Sequence, residues 1–376
     1  GNVTSISFCE NRHSIISASD NGSIHVSRIE YMNAGSHLKY GKFERVREMV
    51  LEDGEYITNI NHYNTELESV VVMSSSQGNI CGFDLRTMKI VWKLDTSPNF
   101  GYVSAFAINP SNYWLCSGTS KGVMTLWDIR FSLPVSTWAH PSLAKINKMK
   151  LFPSTTSPDK NYLSESKQVL CAIDNDNNEL SSWNVETKQC TEIWYSEKYN
   201  SSRKFYDNGL TAIEPEATST MLPTVNTNNS KKHKNSVNSF TFLDNNNYYS
   251  FFKLQLPFIV SVGSDKRIRY WDQLNVDQSM ILNGVEMEDQ NISYKTYQKN
   301  STILHSESSN FESCSSMTLN SSTSSIGNIP LHYANYNASS KKLNGHMDAI
   351  TDVTYTVVPY PLIISSGRDG IINIWK

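Results

Sequence analysis

The chain has 376 residues, 39% of them hydrophobic and 11% aromatic, with a formal net charge of −3 and an isoelectric point near 6.3. That is apolar material enough for one large domain with insertions, and the slightly acidic balance excludes the broad attraction to phosphate on which nucleic-acid binders rely. No run approaches the roughly 18 consecutive apolar residues of a spanning helix, and no amino-terminal signal pattern is present, so no direct membrane insertion by this chain is expected.

In chain order, the sequence opens at Gly1 inside a strand-like run without an initiator Met, as expected of a piece of a larger protein. One phrase then recurs. It reads Ser-Ala-Ser-Asp-Asn-Gly-Ser-Ile-His-Val from 17, lacks its tryptophan again over 73–84, and becomes Ser-Gly-Thr-Ser-Lys-Gly-Val-Met-Thr-Leu-Trp-Asp over 117–128. Further copies occupy 172–184, 261–272 and 365–376, the last reading Ser-Ser-Gly-Arg-Asp-Gly-Ile-Ile-Asn-Ile-Trp-Lys. Each is an apolar strand, a tight turn of Asp, Asn, Gly or Lys, and an alternating strand that ends on an aromatic or apolar residue. This is the WD-repeat signature, and it predicts an all-β fold, a WD-repeat β-propeller.

The six strand ends are Ser27, Phe83, Trp127, Trp183, Trp271 and Trp375, at spacings of 56, 44, 56, 88 and 104 residues. A blade takes only about 40–45 residues. The excess falls in segments about 153–167, 198–236 and 274–342, rich in Ser, Asn, Thr, Pro or Lys. Such compositions bury too little apolar surface to offset an ordering entropy of about 1–2 kcal/mol per residue, so they are expected as largely disordered loops. Between 184 and 260 only one turn-and-strand unit is legible, so the long gap hides no further blade.

The final repeat is expected to place its inner strand at 349–356, its second at 361–365 and its third at 371–375. Its outer strand would come from the next repeat, and an open edge invites aggregation. A strand from upstream of Gly1 is therefore expected to close the ring.

Buried polar chains tie the strands of a well-formed repeat. The final repeat supplies His346, Ser365, Asp369 and Trp375, and the one before it His233, Ser261, Asp265 and Trp271. A buried Asp and His are tolerable because each satisfies the other. A hydrolase triad is the rival reading of Ser, His and Asp, but these serines sit inside strands and the set occurs twice. Lys121, Gln77 and Asn177 stand at the Asp position elsewhere, so those blades should lean on apolar packing.

Weaker signals carry less. The basic run 231–234 reads as solvated loop charge, the Asn-x-Ser/Thr triplets at Asn200 and Asn300 follow from composition, and Trp92, Trp114 and Trp194 read as core. The six cysteines (Cys9, Cys81, Cys116, Cys171, Cys190, Cys314) form no Cys-x-x-Cys pair and five lie in strand-like runs, which points to a reducing compartment and no metal. No phosphate loop or nucleophile elbow appears, so neither catalysis nor a cofactor is expected of this chain. Lys266, Arg267 and Arg368, in turns of adjacent repeats, are the charged candidates for a partner-binding face.

At its ends the sequence becomes more specific. The opening 1–9 with 17–26, the segment Lys-Arg-Ile-Arg-Tyr-Trp-Asp at 266–272, and the closing 346–353 with 367–376 resemble the carboxyl-terminal propeller of a family. That family is the kinase-like regulatory subunit of class III phosphatidylinositol 3-kinase, the vacuolar protein sorting subunit, and the Asn- and Ser-rich loops resemble a budding-yeast member. The resemblance implies blades two to seven of a seven-bladed ring, in a parent with a myristoylated protein-kinase-like domain and helical repeats. It also implies a non-catalytic scaffold in endosomal sorting and autophagy. Its partners would be the lipid kinase catalytic subunit and coiled-coil subunits, and its location cytoplasmic, peripheral on endosomal, Golgi or vacuolar membranes through the parent. A G-protein-β-like propeller binding a Gα subunit is the rival reading, resting on shared form alone.

Overall fold

In a computed structural model, the described residues are 1–9, 14–34, 37–51, 55–65, 68–87, 89–152, 166–196, 210–213, 235–243, 258–283, 292–309, 345–356 and 361–376. Alternating strands separated by tight turns fold locally into antiparallel meanders. Blade 1 is β1 (Val3–Phe8), β2 (Ser14–Ser19), β3 (Ser23–Ala34) and β4 (His37–Val50); blade 2 is β5 (Ile57–Asn64), β6 (Ser69–Ser75), β7 (Asn79–Asp84) and β8 (Lys89–Asp95). Blade 3 is β9 (Val103–Asn109), β10 (Trp114–Thr119), β11 (Val123–Asp128) and β12 (Leu133–Ala139). Blade 4 begins with β13 (Ile146–Phe152), β14 (Gln168–Ile173), β15 (Leu180–Asn184) and β16 (Cys190–Ser196). Blade 5 is β17 (Val237–Leu243), β18 (Phe258–Gly263), β19 (Ile268–Trp271) and β20 (Met280–Asn283). A hairpin of β21 (Ile292–Lys299) and β22 (Thr302–Ser309) follows, and blade 6 is β23 (Ile350–Thr356), β24 (Leu362–Gly367) and β25 (Ile372–Trp375). The fold is a six-blade β-propeller.

Because side chains alternate across a strand, each blade has two faces, and apolar clusters fill the spaces between successive blades. Ile16, Ile24 and Val26 of blade 1 meet Ile57, Ile60 and Val71 of blade 2. Val72, Ile80 and Trp92 meet Phe106, Leu115 and Trp127 of blade 3. The largest cluster joins blades 3 and 4 through Met124, Trp138, Ile146, Trp183 and Tyr195. Phe152 and Trp194 meet Phe240 and Trp271 between blades 4 and 5, and Val260 and Ile268 meet Ile350 and Val353 between 5 and 6. The outer faces of the terminal blades have no such partner among the described residues. Val3, Ile6 and Phe8 are each 60% exposed, and Ile372 and Ile374 are also open. Among the described residues, no apolar cluster joins blade 6 to blade 1.

A second device sets the spacing of the blades. The register of every inner strand slips near its start, at residues 4, 58, 104, 147, 238 and 351. The residue in each bulge is Thr, Ser or Asn. Thr4 donates to the carbonyl of Ile57, Thr58 to Val103 and Ser104 to Ile146, each at 2.7 Å. Asn147 then donates to Val237 at 2.9 Å and Asn238 to Ile350 at 2.7 Å. Every acceptor is the first residue of the next inner strand. The series is legible as Val/Ile, then Thr/Ser/Asn, any residue, then an apolar one, six times over; the WD-type phrase lies at the other end of each repeat.

The insertions differ from expectation. The stretch 274–342 contains β20 and the β21–β22 hairpin, and β22 pairs parallel with β16, giving blade 4 six strands. Within 198–236, Ile213 forms an antiparallel bridge with Ala139 and Leu210 enters the core between blades 3 and 4. Average composition concealed local pattern: Ile292, Tyr294 and Tyr297 on one arm and Ile303 and Leu304 on the other flank a turn at Asn300, whose φ is 52°. Polar residues around such β-formers are hairpin chemistry.

Candidate protein-interaction faces and their buried ties

The turn between second and third strands is shaped alike in all six blades. Five residues before each strand-end position stands a residue with positive φ: Gly22, Gly78, Gly122, Asn178, Lys266 and Gly370. Glycine adopts this backbone without a Cβ clash, and asparagine tolerates it. Lys266 is the bulky exception, at φ 66°.

Behind these turns lie the polar ties. In blade 6, His346 Nε2 is 2.9 Å from Ser365 Oγ and Nδ1 3.2 Å from both Asp369 oxygens, while Trp375 donates its indole N–H to Ser365 Oγ at 2.8 Å. Asp369 also accepts the backbone N–H of Met347 at 2.7 Å and of Ile371 at 3.1 Å. Burial pushes this carboxyl up, but the two N–H groups and His346 outweigh it and hold it below its ordinary value.

In blade 5, Trp271 donates to Ser261 Oγ at 2.9 Å, and His233 lies outside the described residues. Asp265 is engaged by Arg269, whose Nη2 stands 2.6 Å away, and by Asn178 at 3.3 Å. Arg269, only 1% exposed, also donates through Nε to Glu307 of β22 at 2.9 Å. Ser196 and Tyr294 add hydrogen bonds to the same carboxylate at 3.2 and 3.4 Å. Burial would lower the Arg269 pKa, yet Asp265 and Glu307 raise it further above normal. The hairpin is thus fastened to blade 4 by backbone pairing and to blade 5 by charge.

Two further ties form where the Asp position carries another residue. Trp127 donates to Ser117 Oγ at 2.9 Å although Lys121 holds the Asp position of that blade. In blade 4, fully buried His140 places Nε2 2.7 Å from Glu179, and its ring packs edge-on against Trp183 at 5.7 Å. Glu179 lies two residues beyond the expected position Asn177, where only the fold shows that its longer side chain reaches the same histidine.

The three charged candidates separate. Lys266 and Arg368 are exposed at their turns, whereas Arg267 is buried with its guanidinium 4.0 Å from Glu307. Arg267 leaves the turn surface because the acid that draws it inward comes from a segment expected to be loop. A different exposed group appears at the rim of blade 3. Arg130, paired with Asp128 at 2.6 Å, lies 5.3 Å from the ring centre of Tyr113 and 5.4 Å from that of Phe131. Phe131, Leu133 and Val135 beside it are 68%, 60% and 62% exposed. Aromatic residues and Arg in one apolar patch form the composition that anchors protein interfaces.

The family model described as nucleolar protein 10-like, N-terminal domain matches residues 6–223, and WD domain, G-beta repeat matches 226–272 and 337–376. Among curated proteins, the chain is 25% identical over 380 residues to "Serine/threonine-protein kinase VPS15" of Arabidopsis thaliana, covering 96% of this chain and 23% of that protein. It is 25% identical over 384 residues to "Putative serine/threonine-protein kinase VPS15" of Komagataella pastoris, covering 100% and 26%. With "Probable serine/threonine-protein kinase vps15" of Dictyostelium discoideum it shares 40% over 137 residues, 36% of this chain and 7% of that protein. The chain therefore spans about a quarter of the length of the two relatives it matches from end to end. Among solved structures, "Structure of U3-55K" superposes with a TM-score of 0.54 at 10% identity, covering 100% of this chain and 77% of that one, which bears on fold alone.

Proposed function

We propose that this chain, which belongs to the β-propeller family of the nucleolar protein 10-like, N-terminal domain and carries WD repeats, is the protein-interaction module of a VPS15-like regulatory protein. The observation that carries this reading is the end-to-end similarity to two proteins named VPS15, against which the match runs through every blade. Its role would be to dock the lipid kinase catalytic subunit and coiled-coil subunits of a class III phosphatidylinositol 3-kinase complex, serving endosomal sorting and autophagy. The kinase named in those relatives, and any lipid anchor, would belong to the remainder of such a protein.

A rigid disc suits this work because loops on a fixed scaffold hold recognition groups without an ordering cost at binding. The Tyr113–Arg130–Phe131 patch with Leu133 and Val135 supports a contact there, and exposed Lys266 and Arg368 are secondary charged contacts. The test is co-expression of the full chain with the lipid kinase and its coiled-coil subunits, followed by affinity purification. Stable co-elution supports the reading; a chain that elutes alone from all of them removes it.

A further inference from the structure

On the inner strand of blade 4, Lys148 and Lys150 are two apart in a stretch of regular register, so both ammonium groups project from the same face. Their surroundings differ. Lys148 Nζ is 2.7 Å from Asp352 Oδ1 of blade 6 and 2.7 Å from Ser239 Oγ of blade 5, a tie across three blades. Lys150, partly buried one step further along, has no carboxylate within ion-pair distance among the described residues. Of the neighbouring strands, β17 and β18 carry no ionisable residue, β14 carries only Cys171, which faces the blade 3 and 4 core, and β23 brings Asp352 and Tyr355.

An ammonium that has lost water and faces a like charge favours its neutral form. Asp352 opposes this only in part, since Lys148 already occupies it. From this arrangement we propose that Lys150 is a nucleophilic lysine, which accepts acyl groups from activated donors, acyl phosphates or thioesters, ahead of the other described lysines. The neutral amine attacks the acyl carbon, a C–N bond forms as the C–O or C–S bond breaks, phosphate or thiolate departs, and the amine proton passes to water. No oxidant or reductant is required. Burial first and Lys148 second push the Lys150 ammonium down to about 8, against about 10.4 for a free lysine, which leaves a substantial neutral fraction near physiological pH.

The experiment is trace labelling of the full native chain with acetyl phosphate across a pH series, with peptide mass spectrometry reading each lysine. Lys150 is expected to half-titrate near pH 8 and, near neutral pH, to label several-fold ahead of Lys148 and the exposed lysines. Replacing Lys148→Met removes the like charge, so the Lys150 midpoint should rise, a shift that a merely structural role for Lys148 would not produce. Lys150 titrating with the surface lysines, or staying unlabelled while they react, overturns the proposal.

Discussion

Thr58 of blade 2 donates its hydroxyl to the carbonyl of Val103, the first inner-strand residue of blade 3, at 2.7 Å. Four equivalent bonds step through the molecule, from Thr4 to Ile57, Ser104 to Ile146, Asn147 to Val237 and Asn238 to Ile350. Blade-to-blade packing alone is non-directional. A directed bond at the same place in each interface fixes how far one sheet slides against the next.

Thr58→Val keeps the shape and removes the donor, so it should cost about 1–2 kcal/mol through the lost bond and an under-satisfied carbonyl. The denaturant midpoint measures it. Thr351→Val should change little, because among the described residues Thr351 bonds within its own blade, to Ser366.

Lys266→Gly should stabilise the chain by about 1 kcal/mol, since it relieves a non-glycine residue from left-handed backbone. The reverse experiment is Gly122→Ala, whose new Cβ would stand 2.7 Å from the Ala144 carbonyl oxygen and must destabilise. Thermal melts of the two variants should move in opposite directions.

Glu307→Ala strands Arg269 and Arg267 in the interior with Asp265 as the remaining described acid, so a loss of about 3–5 kcal/mol is expected. The hairpin should also become a site of early cleavage in limited proteolysis. Unchanged stability and digestion would mean that the ion pairs do not hold it.

Asp84 is pushed up by burial but pulled down further by the backbone N–H groups of Arg86, Ser69 and Thr87 and by the Thr87 hydroxyl, to about 2. A carboxyl with a depressed folded value contributes stability in full above its unfolded value of about 3.9. That contribution fades as pH falls toward about 2. Asp84→Asn should remove this part of the acid sensitivity, read as a flatter dependence of melting temperature on pH over that interval.

Phe131→Ser with Leu133→Ser should weaken capture of the complex subunits while leaving the melting temperature nearly unchanged, because both side chains are exposed. Undiminished capture would move the contact away from the blade 3 rim.

The sequence by itself determined the blade count, the third-strand ends and the blade 6 tie of His346, Ser365, Asp369 and Trp375. These are local: period-two alternation, turn residues and fixed offsets survive in one dimension. Tertiary structure alone decided that Glu179 serves His140, that Arg267 turns inward to Glu307, and that a segment after blade 5 returns to extend blade 4. Each of these depends on which distant segments meet. A buried charge is acceptable only where its partner arrives, and the partners of His140 and Arg267 lie 39 and 40 residues away in the chain. At such separations no spacing rule applies, and the packing of one blade on the next makes the choice.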